Sequence, residues 1–271
     1  MPMIDSIFNA LQQPFFLRSL CVVSILACVF PLYGNIVVVR QEANIAHTFA
    51  HIWLLWVALW LWFDRSIELS ILWGVVATVV FLYAMWSGKS NSQVVHNEIW
   101  AQLWLVWAIL IVSQMSWYKA DITSYLFGDI LLLGQQDVYG IIGIAVICLF
   151  LYIIFWKNWY ALSLHYSLAK SKYVSMRWSY LIYLLALWLL IGWAMKIIWV
   201  LLVSAFLILP SNIWKSLAWN KTQRNRISSI VWVSASIIAL FLSWYLDMPS
   251  WASIVAVMIV IYIVVPLFIK R

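Results

Sequence analysis

Long apolar runs, separated by short polar breaks, repeat along the whole chain. Nine of them reach the roughly 18 residues that a helix needs to cross a bilayer. They cover residues 15–39, 44–63, 67–86, 98–116, 137–156, 177–195, 197–218, 226–246 and 250–269. The sixth and seventh are barely separated, at Met195 and Lys196, so one broken helix or two is possible and the count is eight or nine. The strands of a membrane barrel would alternate polar and apolar residues, and these runs do not. The pattern predicts an all-α fold, a polytopic transmembrane helix bundle over residues 1–271 as a single domain.

Composition supports this reading. Hydrophobic residues make up 66% of the 271 positions and charged ones 9%, too few charges to cover the surface of a soluble domain. The net charge of +7 would suit nucleic acid only if it were gathered on one surface. It falls instead in the short loops, where basic residues set orientation in the membrane. With the N-terminus outside and nine alternating spans, only Arg18, Arg65, Lys119 and Lys196 lie outside, and the other twelve of the 16 basic residues lie inside. Asp5, Asp64, Glu68, Asp121, Asp129, Asp137 and Asp247 fall outside. An external N-terminus and a cytoplasmic C-terminus are therefore expected, with no nucleic-acid partner.

The three cysteines, Cys21, Cys28 and Cys148, sit inside apolar runs and read as small packing residues. The opening MPMIDSIFNALQQ has neither a basic n-region nor a small-residue cleavage site, so no removable signal peptide is expected.

Two stretches carry candidate chemistry. In Arg40–Trp62, His47 and His51 stand four residues apart, which places both imidazoles on one helix face. Ionisable groups inside a membrane helix are costly and usually face a cavity or a partner. Imidazole suits zinc, and also iron and manganese; packing or hydrogen bonding is the other use of such a pair. The second stretch, residues 158–177, is too polar to span. It has no Pro or Gly, and Leu162, Leu164, Leu168 and Ala169 define one side of a short amphipathic helix. Its readings are a helix on the lipid surface or a docking helix for a soluble partner.

Several motifs together resemble a family, the integral-membrane permeases of ABC transporters that import zinc, manganese or iron. Arg40 followed by Ala46-His47 and His51 resembles the family's basic residue and Gly-Asp-x-x-x-His, with His47 in place of Asp. Tyr125-Leu126-Phe127-Gly128-Asp129-Ile130 resembles YLFGNI, Val200–Pro210 resembles VLLVSALLILP, and Tyr245–Ser250 resembles YLDLPSG. The polar segment 158–177 is the fifth match, and the order and spacings are kept along nearly the whole chain.

The resemblance implies a transport subunit rather than an enzyme, working as a homodimer that forms the translocation path. It implies His47 and His51 as metal ligands, with His96 and Glu98 as further candidates along the path. It also implies a short cytoplasmic coupling helix in which Leu164, His165, Leu168, Ala169, Lys170 and Lys172 meet an ABC ATPase subunit. An extracytoplasmic metal-binding protein would deliver the ion. No cofactor is expected to be held permanently; the divalent metal is cargo. No GxxxxGK[ST] occurs in the chain, so ATP hydrolysis is expected on a separate subunit. Exchange of Asp for His47 leans the path toward a softer ion such as zinc. The charge-based topology places His47 within about two turns of the cytoplasmic end of its span.

The alternative is a membrane-embedded metal-dependent enzyme of the HxxxH type. Such sites need many ligands, and the chain has only four histidines: His47, His51, His96 and His165. A haem-handling membrane protein is a third reading, resting on the tryptophans.

Those tryptophans are unusual, at 21 against 8 glycines. Trp56, Trp60, Trp100, Trp199 and Trp251 stand where the resemblance has glycine, in helices that ordinarily use small residues for close packing. Two explanations are open. One is a lineage that fills helix interfaces with indoles. The other is a stop codon reassigned to glycine and read as tryptophan. The second expects the intact mass of the native protein to fall below that of this sequence; a mass matching all 21 tryptophans excludes it.

Overall fold

The computed structural model describes residues 2–63, 74, 91–115, 133–164, 176–195, 203–213 and 221–268. Among them are nine helices: α1 (Pro2–Gln12), α2 (Pro14–Arg40), α3 (Ala43–Trp62), α4 (Asn91–Ser113), α5 (Gln135–Leu164), α6 (Met176–Met195), α7 (Val203–Ile213), α8 (Lys221–Leu246) and α9 (Ser250–Phe268). The fold is all-helical, as the runs predict. The third expected span, 67–86, lies outside the described residues apart from Gly74, and so do both ends of the seventh. The short helix α1 was not among the expected spans.

Among the described residues, four helices are long and apolar enough to cross a membrane: Pro14–Arg40, Gln135–Leu162, Trp178–Met195 and Asn225–Leu246. Large apolar side chains remain uncovered on several of them. Val146, Phe150 and Ile153 of α5 are each about 60% exposed, a surface suited to lipid rather than water. Inside the helices, hydroxyls bond back to carbonyls one turn earlier, as Ser19 does to Phe15 O (2.8 Å) and Thr48 to Asn44 O (2.8 Å). That satisfies polar groups where no water is at hand.

The chain folds as two compact units. The first comprises Met1–Gln41, Asp129–Ile153 and Ser204–Arg271. Its central helix is α2, mostly buried from Phe16 to Val37 but exposed at Leu17, Cys21 and Cys28, and packed on α8, with α1 and α9 against α8. Pro210 in α7 has no N–H to give to Phe206 O, one turn back. The Trp232 indole of α8 donates to that carbonyl instead, at 2.8 Å. A partly buried polar chain also ties three helices: Asn35 Nδ2 donates to Asn225 Oδ1 (2.7 Å), and Asn225 Nδ2 to the Tyr152 hydroxyl (2.8 Å).

The ends of two helices in this unit explain two acids. Asp137 Oδ2 accepts from Gly134 N–H at 3.1 Å at the start of α5, which is half of a capping box. Asp247, exposed, takes φ 52° just past α8. There Met248 N–H bonds Ser243 O at 3.1 Å, the long bond of a Schellman cap. The Asp137 side chain thus caps the start of α5, while Asp247 closes α8 through its backbone and leaves its side chain exposed.

The second unit comprises Glu42–Gly128 and Ile154–Val203. Here α3 is the inner helix, packed against α4 and α6. Trp53 and Trp188 lie with ring centroids 6.3 Å apart, and the Trp53 indole presses on Gly192 of α6. Trp159 donates its indole N–H to Ser179 O at 2.8 Å. Trp159 and Trp232 therefore make bonds that glycine cannot. Of the tryptophans aligned with glycine, Trp56, Trp60 and Trp251 are half-buried; the Trp100 side chain and all of Trp199 lie outside the described residues.

Candidate metal path

The sequence from Ala43 onward is an almost unbroken apolar helix former, and α3 accordingly begins just before the histidines and continues past them to Trp62. The four-residue spacing brings the two rings together: their centroids are 4.3 Å apart and nearly perpendicular, at 80°. The two Nε2 atoms lie 2.9 Å apart, close enough for one imidazole to donate to the other. His51 is buried, at 1% exposure, and His47 is half-buried. The Nδ1 atom of His51 is buried with no hydrogen-bond partner.

This arrangement can bind a metal with little movement. Zinc–nitrogen bonds are about 2.0–2.1 Å, so two nitrogens on one tetrahedral zinc sit about 3.3 Å apart. The pair at 2.9 Å needs to open by about 0.4 Å, and the metal would replace the hydrogen bond that now joins the rings. Two nitrogens are less than a full ligand set. Among the described residues, no group of three or more His, Cys, Asp or Glu is placed to hold a metal ion.

The other candidates are placed less fully. His96 and Glu98 lie on the first turns of α4, a helix that packs on α3, but their side chains are outside the description. The segment 158–177 begins as the last part of α5, which runs on to Leu164. Trp159, Tyr160 and Leu162 are buried there. His165, Leu168, Ala169, Lys170 and Lys172 lie outside the described residues, as does the Leu164 side chain.

One carboxylate escaped the sequence reading. Glu42 stands at the turn into α3, where Gln41 takes the left-handed conformation (φ 58°) and closes α2. Its Oε1 accepts from the Tyr180 hydroxyl of α6 at 3.1 Å. Nothing in the local pattern could have paired two residues 138 positions apart.

A helical membrane protein with a metal-compatible histidine pair on a core helix fits a transport class, and comparison with known proteins makes it specific. The chain belongs to the ABC 3 transport family, whose profile matches residues 12–269. It is 28% identical over 228 residues to the high-affinity zinc uptake system membrane protein ZnuB of Haemophilus influenzae, covering 82% of this chain and 85% of that one. It is 23% identical to the manganese import system permease protein ScaB of Streptococcus gordonii, covering 97% and 94%. Its fold is similar to a chain in the structure of PsaBC from Streptococcus pneumoniae in complex with Fab. The TM-score there is 0.84, at 21% identity, covering 97% of this chain and 94% of that one. The resemblance read from the motifs is thereby confirmed.

Proposed function

We propose that this chain is the membrane permease of an ABC importer for a divalent transition metal, zinc, manganese or iron. The observation that carries the metal reading is the buried His47–His51 pair, with facing nitrogens 2.9 Å apart on a membrane helix. Relatives named for zinc uptake and manganese import support the same cargo class. A site with two protein nitrogens suits cargo: a path must bind well enough for the ion to enter and weakly enough for it to leave. Water and side chains such as those of His96 and Glu98 would complete the coordination in passage.

The same reading makes the protein a homodimer, with its path fed by an extracytoplasmic metal-binding protein. A separate ATPase would drive it through the segment that follows Leu164. Its N-terminus lies outside and its C-terminus in the cytoplasm, as the basic loops direct. The test is co-purification from the native membrane. An ABC ATPase is expected to accompany the wild-type chain and to be lost when residues 164–172 are replaced. A chain that purifies without an ATPase and turns over a substrate alone would favour the HxxxH enzyme instead.

A further inference from the structure

Unit two contains a run of contacts that starts where α5 ends and finishes at the foot of the histidine helix. Trp159, in the last turns of α5, donates to Ser179 O at 2.8 Å and meets the Tyr183 ring edge-on, with centroids 5.6 Å apart. Tyr183 lies beside Tyr180, one turn earlier on α6, at 5.9 Å. Tyr180 donates its hydroxyl to Glu42 Oε1 at 3.1 Å. Glu42 O in turn accepts from Ile45 N–H at 3.0 Å in the first turn of α3. His47 follows Glu42 by five residues, about 7.5 Å along a helix axis.

Two links in this run are broad ring contacts, which tolerate sliding, and three are hydrogen bonds. The Tyr180–Glu42 bond is the link that joins α6 to the start of α3, and a hydroxyl on a carboxylate is directional. It pins the first turn of α3 to α6, at the point where the chain leaves one compact unit for the other, between Gln41 and Glu42. Glu42 is not placed to join the histidines in a shared metal site. Its carboxylate therefore acts on the pair through the backbone rather than as a third ligand.

We infer that Tyr180 is a positioning residue for metal transport: through its hydrogen bond to Glu42 it makes movement at the α5–α6 base reach the His47–His51 helix. This rests on the permease reading above. Loss of the bond lets the ATPase cycle without moving α3 in step, so the protein wastes ATP rather than losing its affinity for metal.

The experiment uses the full permease–ATPase complex in proteoliposomes, with manganese(II) and zinc(II) supplied separately, and reads metal taken up per ATP hydrolysed. Tyr180→Phe keeps the ring and removes only the hydroxyl; the ratio is expected to fall about fivefold. Glu42→Leu is expected to match it, and the double variant to be no worse than either single one. Glu42→Gln keeps an acceptor oxygen and is expected to retain the wild-type ratio, which a general weakening of the fold would not produce. A wild-type ratio in Tyr180→Phe overturns the inference, as do strictly additive single effects or a loss in Glu42→Gln equal to that in Glu42→Leu. If the wild-type complex moves neither ion, the permease reading itself has failed; the two failures are distinct.

Discussion

Gly34→Ala is expected to destabilise the protein by about 3 kcal/mol or more, at the upper end for overpacking. A Cβ at this α2 position would be driven into the backbone carbonyl of Leu207 and against Ser211 Oγ. A side chain can swing away from such a clash, but a helical carbonyl cannot move without its whole turn. That turn is already constrained, since Pro210 lies in it and the Ser211 hydroxyl bonds Leu207 O at 3.0 Å. Gly143 supplies the control: it has nothing within 4 Å of where a Cβ would stand. Gly143→Ala should be neutral or stabilising by up to about 1 kcal/mol, the helix propensity gained. Thermal unfolding of both variants in detergent separates them; equal midpoints would show that α2 and α7 do not approach as described.

Much of the fold was open to reading because lipid leaves few choices. A run of apolar residues long enough to span must be a helix, and α2, α3, α6, α8 and α9 begin and end within a few residues of the expected spans. Helix α1 was missed because eleven residues are too few to span; Ile4, Ile7, Phe8 and Leu11 keep the helical spacing of an amphipathic helix rather than a span. The acids Asp137 and Asp247 were placed outside by the charge pattern alone, and their part at helix ends was not read. Their local signals, Gly134-x-x-Asp137 before an apolar run and Asp247-Met248-Pro249 after one, are those of helix caps.

The histidine pair was legible as a pair because four residues make about one helical turn. Its burial was not, because that depends on which helices surround α3, a matter of long-range packing. The same limit hid the Tyr180–Glu42 bond and the donation from Trp232 to the carbonyl freed by Pro210. Each joins residues remote in sequence, and each depends on one directional atom that no hydrophobic pattern records.

The second large effect is expected at the histidines. His51 is enclosed within its unit, so no surface side chain can take the place of its ring. Burying a nitrogen without a hydrogen bond costs on the order of 1–3 kcal/mol, and His51 Nδ1, buried without a partner, bears that cost with or without a metal on Nε2. Alanine at either position removes one of two nitrogens that face each other, which on the proposed reading leaves a single ligand. Metal affinity along the path is expected to fall by on the order of 100-fold, at least the loss seen when outer partners of ligands are removed. The fold should persist, since a smaller apolar residue replaces a polar one and relieves its desolvation. His51→Ala should unfold no earlier than His47→Ala by more than the cost of a small cavity, about 1–2 kcal/mol.

The most direct test is ATP-driven uptake of zinc(II) and of manganese(II) by proteoliposomes holding the permease–ATPase complex. Wild type is compared with His47→Ala plus His51→Ala. Saturable, ATP-dependent uptake of at least one ion by wild type, and its loss in a double variant that still binds the ATPase, is the expected result. Uptake at the wild-type rate in the double variant would contradict the account, because the ion would then be crossing by a route that does not touch this pair.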